Sequence, residues 1–149
     1  LLVALAGCQP DTVCRKEVAP QMKVGLCTIH HLTDGGTEVT TGVDSVTIRA
    51  IGNDSLIANN SKSVSQVEMP LRTDSFALTQ FVMLYHETED TVSVYHTNHL
   101  QYVSMECGCK VAQTIDSVAY TLHNIEQVDM TIADVTPAKD KNLIIYFRP

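Results

Sequence analysis

Histidine and cysteine residues between positions 96 and 109 have the side-chain types that could do metal chemistry. His96 and His99 lie three residues apart, and Cys107 and Cys109 follow in a Cys-Gly-Cys segment. Imidazole and thiolate are ligands that zinc prefers. On a strand, however, positions 96 and 99 face opposite sides, and the sequence lacks the second Cys or His pair of a zinc finger. We therefore interpret both histidines as surface residues beside a turn, and we predict no bound metal and no cofactor.

The segment Cys107-Gly108-Cys109 could also be a redox pair. A redox-active cysteine usually lies at a helix N-terminus, where its pKa is low. Here the flanking residues alternate as in a strand, so both thiols would point to the same face. Structural disulfides to neighbouring segments are the favoured interpretation.

Motifs of the common catalytic classes are absent from the sequence. It has no Gly-x-Ser-x-Gly elbow, no glycine-rich phosphate loop and no paired carboxylates of the glycosidase kind. Its formal net charge is -7, which repels the phosphate backbone of nucleic acids. We predict a non-catalytic domain that does not bind nucleic acid.

The elements that must hold these residues show a two-residue alternation of apolar and polar side chains. In one such run Val46 and Ile48 alternate with Thr47 and Arg49. Many short runs of this kind, separated by turn residues, predict a single immunoglobulin-like antiparallel β-sandwich over residues 21–149. The predicted strands are 22–32, 44–51, 54–58, 64–70, 76–86, 90–97, 100–110, 114–122, 126–133 and 142–147.

An apolar run at the start of the chain ends in Leu5-Ala6-Gly7 and stops at Cys8, after which the residues are polar. This segment resembles the lipobox of bacterial lipoproteins. The resemblance implies cleavage before Cys8 and a diacylglycerol on its thiol. We therefore expect residues 1–7 to be a signal-peptide remnant and residues 8–20 to be a lipidated tether. The expected location is the outer membrane of the cell envelope, on its periplasmic side.

Four further cysteines remain, an even number that suggests two disulfides in an oxidising compartment. They are Cys14, Cys27, Cys107 and Cys109. A Cys107–Cys109 bond would close a very small ring and strain an extended strand. The other two pairings stay open at this point.

A tripeptide of Asp, Ser or Thr, and an apolar residue occurs five times. Its simplest interpretation is a turn cap followed by the first residue of a strand. The hydroxyl residues of the five copies are Thr12, Ser45, Ser55, Thr91 and Ser117.

Several stretches in order resemble a family of small lipoproteins of unknown function from Bacteroidetes, and the most specific of them are Met105-Glu106-Cys107-Gly108 and Met69-Pro70-Leu71-Arg72. The resemblance implies a Cys14–Cys107 bridge, with Cys27–Cys109 as a second bridge. It also implies that the Asp-Ser/Thr-apolar tripeptides could be O-glycosylation signals. The other stretches are Asp11–Cys14, Ala50–Ser55 and Tyr95–Asn98, and the stretch from Met69 extends to Thr73.

Together these features predict a lipid-anchored binding or assembly module for another envelope protein. The alternative is a lipoprotein that captures a small molecule or glycan for an outer-membrane channel. A cleft with converging polar groups would favour ligand capture. An exposed apolar patch or an unpaired strand edge would favour a protein partner.

Overall fold

The computed structural model of the protein describes residues 20–52, 55–75, 77–105 and 108–149. All regular secondary structure in these ranges is β-strand, so the predicted all-β class is confirmed. The strands are β1 (Met22–His31), β2 (Thr37–Thr41), β3 (Val46–Ala50), β4 (Leu56–Ser61), β5 (Gln66–Met69), β6 (Leu78–Tyr85), β7 (Thr88–Ser104), β8 (Gly108–Tyr120), β9 (Ile125–Met130), β10 (Asp134–Val135) and β11 (Leu143–Phe147).

The strands form two sheets that pack face to face as a sandwich. The five-stranded sheet has the order β2-β1-β11-β9, and β5 also pairs with the first half of β1. The six-stranded sheet has the order β10-β8-β7-β6-β3-β4. Strands β1 and β11 pair in parallel, and the other described pairings are antiparallel. The sandwich is thus confirmed, whereas its immunoglobulin-like character stays a prediction.

The core lies between the inner faces of the two sheets. Val46 and Ile48 of β3 are fully buried, whereas Arg49 lies on the other face of the strand and is exposed, as the alternation predicts. Each such buried aliphatic side chain contributes roughly 1.5–3 kcal/mol of hydrophobic stabilisation. The largest fully buried apolar side chains are Phe81, Phe147, Met22, Leu26, Ile48, Met69, Met83, Ile115, Ile125, Leu143 and Ile145.

The sandwich has two ends, which we name the Gln21 end and the Pro149 end. Strand β1 starts at the Gln21 end, where Met22 pairs with Met69 at the end of β5. The side chain of Lys23 donates a hydrogen bond from Nζ to the carbonyl oxygen of Thr136, at 2.8 Å. The loop that follows β10 is thereby held beside the point where the chain leaves residue 20.

Strands β7 and β8 extend beyond the Gln21 end as a hairpin. The pairing of β6 with β7 stops at Tyr95, and β10 pairs with β8 only at Gln113 and Thr114. Among the described residues, positions 99–105 and 108–112 pair only with each other. We call these residues the β7–β8 arm. The predicted strands 90–97 and 100–110 are therefore wrong in their division, because one strand runs through residue 98 to Ser104 and the next begins at Gly108, which has a φ of 65°.

Candidate interaction site

His96 lies in a buried polar cluster and not on the surface, so the prediction of a surface residue is wrong for it. Its Nε2 is 2.8 Å from Thr79 Oγ1, and its Nδ1 is 2.9 Å from Asn98 Oδ1. Asn98 Oδ1 also accepts a hydrogen bond from Gln113 Nε2, so this oxygen is an acceptor and the network assigns the imidazole proton to Nδ1. Nε2 then accepts from Thr79, and both ring nitrogens are satisfied within the protein.

The same cluster fixes the loop between β5 and β6. Thr79 Oγ1 accepts the backbone N–H of Arg72 at 2.9 Å. The carbonyl oxygen of Arg72 accepts hydrogen bonds from Asn98 Nδ2 at 2.8 Å and from Gln113 Nε2 at 3.0 Å. A buried amide or imidazole without a partner is costly, so these side chains hold the loop across the base of the β7–β8 arm.

The structure does not bring His96, His99 and Cys109 together as a metal site. His99 is exposed on the outer face of the arm, whereas Cys109 is buried on the inner face. Cys107 lies outside the described residues. Within the described ranges, no three His, Cys, Asp or Glu side chains gather in a way that could hold a metal ion.

The predicted Cys27–Cys109 bridge is wrong. Cys27 is a free, buried thiol in β1, where its neighbours are Thr41 of β2 and Tyr146 of β11. Cys109 lies in the other sheet, on the arm, and is disulfide-bonded. Since Cys27 is free, the partner of Cys109 lies outside the described residues.

The predicted Cys14–Cys107 bridge and the acylation site Cys8 also lie outside the described residues. The structure therefore leaves both predictions untested. Thr12, in the first Asp-Ser/Thr-apolar tripeptide, lies there as well.

The other four tripeptides lie in different surroundings. Ser45, Ser55 and Ser117 are exposed, whereas Thr91 is half-buried within β7. The aspartates of two of these tripeptides hold turns: Asp44 accepts the backbone N–H of Ser63 at 2.9 Å, and Asp90 holds the β8–β9 connection. Asp44 precedes β3, as the turn-cap interpretation expects, whereas Asp90 lies inside β7 and holds a turn 31 to 35 residues away in sequence.

Asp90 is a buried carboxylate that sequence reasoning treated only as part of a tripeptide. It accepts hydrogen bonds from Thr121 Oγ1 at 2.6 Å and from the backbone N–H groups of His123, Asn124 and Ile125 at 2.8, 2.6 and 3.0 Å. Burial raises the pKa of this carboxyl, but these hydrogen bonds outweigh burial and leave the pKa below its usual value. The carboxylate thereby fixes the segment in which the chain crosses from one sheet to the other.

Within the described part of the chain, the edges of both sheets are open on the side of the sandwich beyond this crossover. The outer edge of β8 is paired with the β10 region up to Ile115, whose N–H donates to the carbonyl of Ala133. From Asp116 to Tyr120, no described strand pairs with that edge. The outer edge of β9 is likewise unpaired among the described residues. We call residues 116–120 of β8 together with β9 the β8–β9 edge.

Apolar side chains line this edge. Val118 and Tyr120 of β8 lie opposite the fully buried Val94 and Val92, so they point to the inner face, yet they are only half-buried. Val128 of β9 is also half-buried, and Met130 is 46% exposed although it lies opposite the buried Leu143. The core is therefore incompletely covered along the β8–β9 edge. Leu122 and Ile132 are exposed next to it.

A second apolar surface lies on the β7–β8 arm. Leu100, Tyr102, Val103 and Met105 are exposed, and Met105 at the tip is 94% exposed. Leu100 and Tyr102 continue the inner face of β7 past the point where the opposite sheet ends. This surface is separate from the β8–β9 edge.

The described part of the chain is thus an all-β domain of two packed sheets, with one side that no described strand covers and a pair of strands that extends beyond the sandwich. The described residues contain no apolar helix of bilayer-spanning length. A family model described as "Family of unknown function (DUF6452)" matches residues 45–147, and the chain belongs to this family. No curated protein and no solved structure matches the chain significantly.

Proposed function

We propose that this protein is a lipid-anchored, non-catalytic module of the cell envelope that binds another envelope protein along the β8–β9 edge. The observation that supports the proposal is the edge from Asp116 to Tyr120, which no strand of the described residues pairs with, next to the half-buried Val118, Tyr120 and Val128. An open strand edge offers backbone donors and acceptors to an added strand, and neighbouring apolar side chains supply specificity.

The outer face of the edge has small or polar residues, with Asp116, Ser117 and Ala119 exposed. An added strand would therefore place apolar residues at alternate positions, facing Val118, Tyr120 and Met130. This predicts a partner that contributes an extended segment with an alternating pattern.

Site-specific crosslinking in intact envelopes tests this proposal. A photo-crosslinking residue replaces Ser117, and the control replaces Lys62, an exposed residue between β4 and β5 on the opposite side of the six-stranded sheet. We expect one discrete crosslinked protein from position 117 and none of that size from position 62. The same product from both positions, or from neither, would contradict binding along this edge.

In this proposal a diacylglycerol on the Cys8 thiol anchors the protein to the periplasmic side of the outer membrane. The lipobox-like Leu5-Ala6-Gly7-Cys8 segment supports it. Metabolic labelling with a clickable fatty acid should mark the wild-type protein and leave Cys8→Ser unlabelled. Equal labelling of the two proteins would show that the lipid is not on Cys8.

Ligand capture is the second candidate function, and one hollow supports it. The hollow has about 430 Å³, lies at the Pro149 end and is lined in part by His30, Asp44 and Tyr85. Its size falls within the range of small-molecule sites. A panel of sugars and small acids that raises the melting temperature of the wild type but not of His30→Ala would favour this function.

We also propose that the protein, as an exported envelope protein, is O-glycosylated on its Asp-Ser/Thr-apolar tripeptides. The exposed Ser45, Ser55 and Ser117 are the described acceptors that a transferase could reach, whereas Thr91 is half-buried in a paired strand. Intact mass of protein from its own host would show added hexose-type mass. A mass equal to that of peptide and lipid alone would show that these residues are not glycosylated, and turn capping would remain their interpretation.

A further inference from the structure

We infer that the partner binds the β8–β9 edge through a short strand that adds to β8, with apolar residues opposite Val118 and Tyr120 and a lysine or arginine beside Asp116. The inference rests on the proposed function, because it names the chemistry of the segment that binds this edge. Three features of the edge carry it: the direction of its backbone groups, its length, and the charge at one end of it.

The backbone of β8 directs the hydrogen-bonding groups of Val118 and Tyr120 toward the open side. Thr121, the residue after β8, donates its N–H to the carbonyl oxygen of Thr91 in β7, at 3.1 Å. In an antiparallel pair these groups alternate in direction from one residue to the next, so those of Tyr120 and, two residues earlier, of Val118 point away from β7. No described strand pairs with them, and an added strand can therefore bond to two N–H groups and two carbonyl groups.

The same two residues place apolar side chains on the inner face. Residues directly opposite each other on paired strands lie on the same face of a sheet, so partner side chains opposite Val118 and Tyr120 would enter the incompletely covered side of the core. In β9, Val128 is half-buried there and Met130 is 46% exposed. Apolar partner residues are therefore favoured at these two positions, whereas the residue between them, opposite Ala119, faces solvent.

The edge available to the partner is short. At its start β10 already occupies the row beside β8, because Asp134 pairs with Thr114. The N–H of Ile115 also donates to the carbonyl oxygen of Ala133 at 2.8 Å. At its other end β8 stops at Tyr120, and the chain turns toward β9. A strand that continued past the start of this edge would meet β10, so the paired segment has about five extended residues, a length of about 17 Å.

Two carboxylates lie at the end of the edge that is next to β10. Asp116 accepts a hydrogen bond from Thr97 Oγ1 at 2.7 Å, and Asp134 accepts one from Thr114 Oγ1 at 3.0 Å. Thr97 and Thr114 are directly opposite each other, so both carboxylates lie on the same outer face. Both are exposed, and neither forms an ion pair within the described part of the chain. The next basic residue along β8 is Lys110, about 13 Å before Thr114. A basic partner residue at this end would therefore be attracted.

Charge also favours a different protein over a second copy of this chain as the occupant. Residues 116–120 of β8 read Asp-Ser-Val-Ala-Tyr, and β9 carries Glu126 and Asp129; neither segment contains Lys or Arg. A second copy that paired through either strand would bring carboxylates to the carboxylates of this edge, and like charges repel. A partner protein with a basic residue in its strand fits the edge better, and such complementarity supplies specificity.

Photo-crosslinking from position 117 in intact envelopes tests the charge as well as the edge. One variant, Asp116→Asn with Asp134→Asn, removes both carboxylates. The control, Glu38→Gln with Glu68→Gln, removes two exposed carboxylates from β2 and β5, at the opposite edge of the five-stranded sheet, and changes the net charge equally. We expect the yield of the crosslinked partner to fall about fivefold in the first variant, the effect of two surface ion pairs. The control should keep the yield of the wild type, and melting curves check that both variants fold.

Mass spectrometry of the crosslinked product then identifies the bound segment. We expect a segment of another protein that has apolar residues at alternate positions and a Lys or Arg at one end. Equal yields from the two double variants, or a segment without a basic residue, would overturn the inference while leaving binding along the edge in place. A product formed with a second copy or with residues 1–19 of the same chain, or no discrete product, would contradict the proposed function as well.

Discussion

Asp90 accepts the backbone N–H of Asn124 at 2.6 Å, and this contact ties β7 of the six-stranded sheet to the segment that leads into the five-stranded sheet. Asn124 completes the arrangement from the other side, since its Nδ2 donates to the carbonyl oxygens of Tyr85 and Thr88. This segment joins the two strands of the β8–β9 edge. The shape of the β8–β9 edge therefore depends on the buried Asp90 carboxylate.

Asp90→Asn should destabilise the protein by about 2–4 kcal/mol, because an amide group would face backbone N–H groups that need an acceptor. Chemical denaturation measures this difference. Asp116→Asn is the control, since Asp116 is exposed and accepts one hydrogen bond from Thr97; its effect should stay within about 0.5 kcal/mol. A similar decrease in the free energy of unfolding in the two variants would show that the Asp90 hydrogen bonds stabilise the fold no more than the single exposed one of Asp116.

The stability of the protein should also fall steeply in acid because of Asp90. Burial raises the pKa of this carboxyl, but its hydrogen bonds prevail and hold the pKa below its usual value. A carboxyl with a lowered folded-state pKa stabilises the fold fully above its unfolded pKa, and this contribution is lost as pH falls through the folded value. Below about pH 4, the free energy of unfolding of Asp90→Asn should therefore fall less with decreasing pH than that of the wild type. The same pH dependence in both proteins would contradict this role of Asp90.

Sequence patterning predicted the strands that have one buried and one exposed face. Val46 and Ile48 in β3, and Leu143 and Ile145 in β11, are buried as their alternation indicates. The pattern overpredicted burial at the open side, where Met130 stays exposed, because alternation says which face a residue occupies and not whether that face is covered. Strand β2 was missed because all five of its residues are exposed, so only pairing with β1 makes it a strand.

The tight connection between β6 and β7 shows a second limit. His86 and Glu87 form it at φ 50° and 63°, values that hairpin turns usually assign to Asn or Gly. The predicted strands 76–86 and 90–97 therefore left residues 87–89 for the connection, and the observed turn comes earlier. The buried position of His96 was missed because its partner Thr79 is distant in sequence, as is Gln113, which donates to the Asn98 oxygen that the His96 ring also contacts.

Thr79→Val should loosen the loop between β5 and β6. The change keeps the shape of the side chain but removes the acceptor for the Arg72 N–H and the donor for His96, at a cost of about 1–3 kcal/mol. Amide hydrogen exchange at Arg72 should become faster. Thr40→Val on the exposed face of β2 is the control and should leave that amide unchanged. Unchanged exchange in Thr79→Val would show that the cluster does not hold the loop.

Cys27 should react with a maleimide only after the protein is unfolded, because its thiol is free but buried in β1. Cys109 should resist the reagent until a reductant is added. Non-reducing peptide mapping then identifies which cysteine, Cys14 or Cys107 among them, is bonded to Cys109. A free Cys109 thiol in protein isolated from an oxidising compartment would contradict this arrangement.

The central claim is that the protein acts through its β8–β9 edge, and a charge placed on that edge tests it most directly. Met130→Lys and the control Leu56→Lys alter side chains of similar exposure, 46% and 49%, on opposite sides of the sandwich. Both variants carry the photo-crosslinking residue at position 117, and melting curves check that both fold. The account predicts that Met130→Lys lowers the yield of the crosslinked partner by about tenfold, the loss that corresponds to 1.4 kcal/mol of binding, while Leu56→Lys does not. Equal yields from the two variants would contradict it.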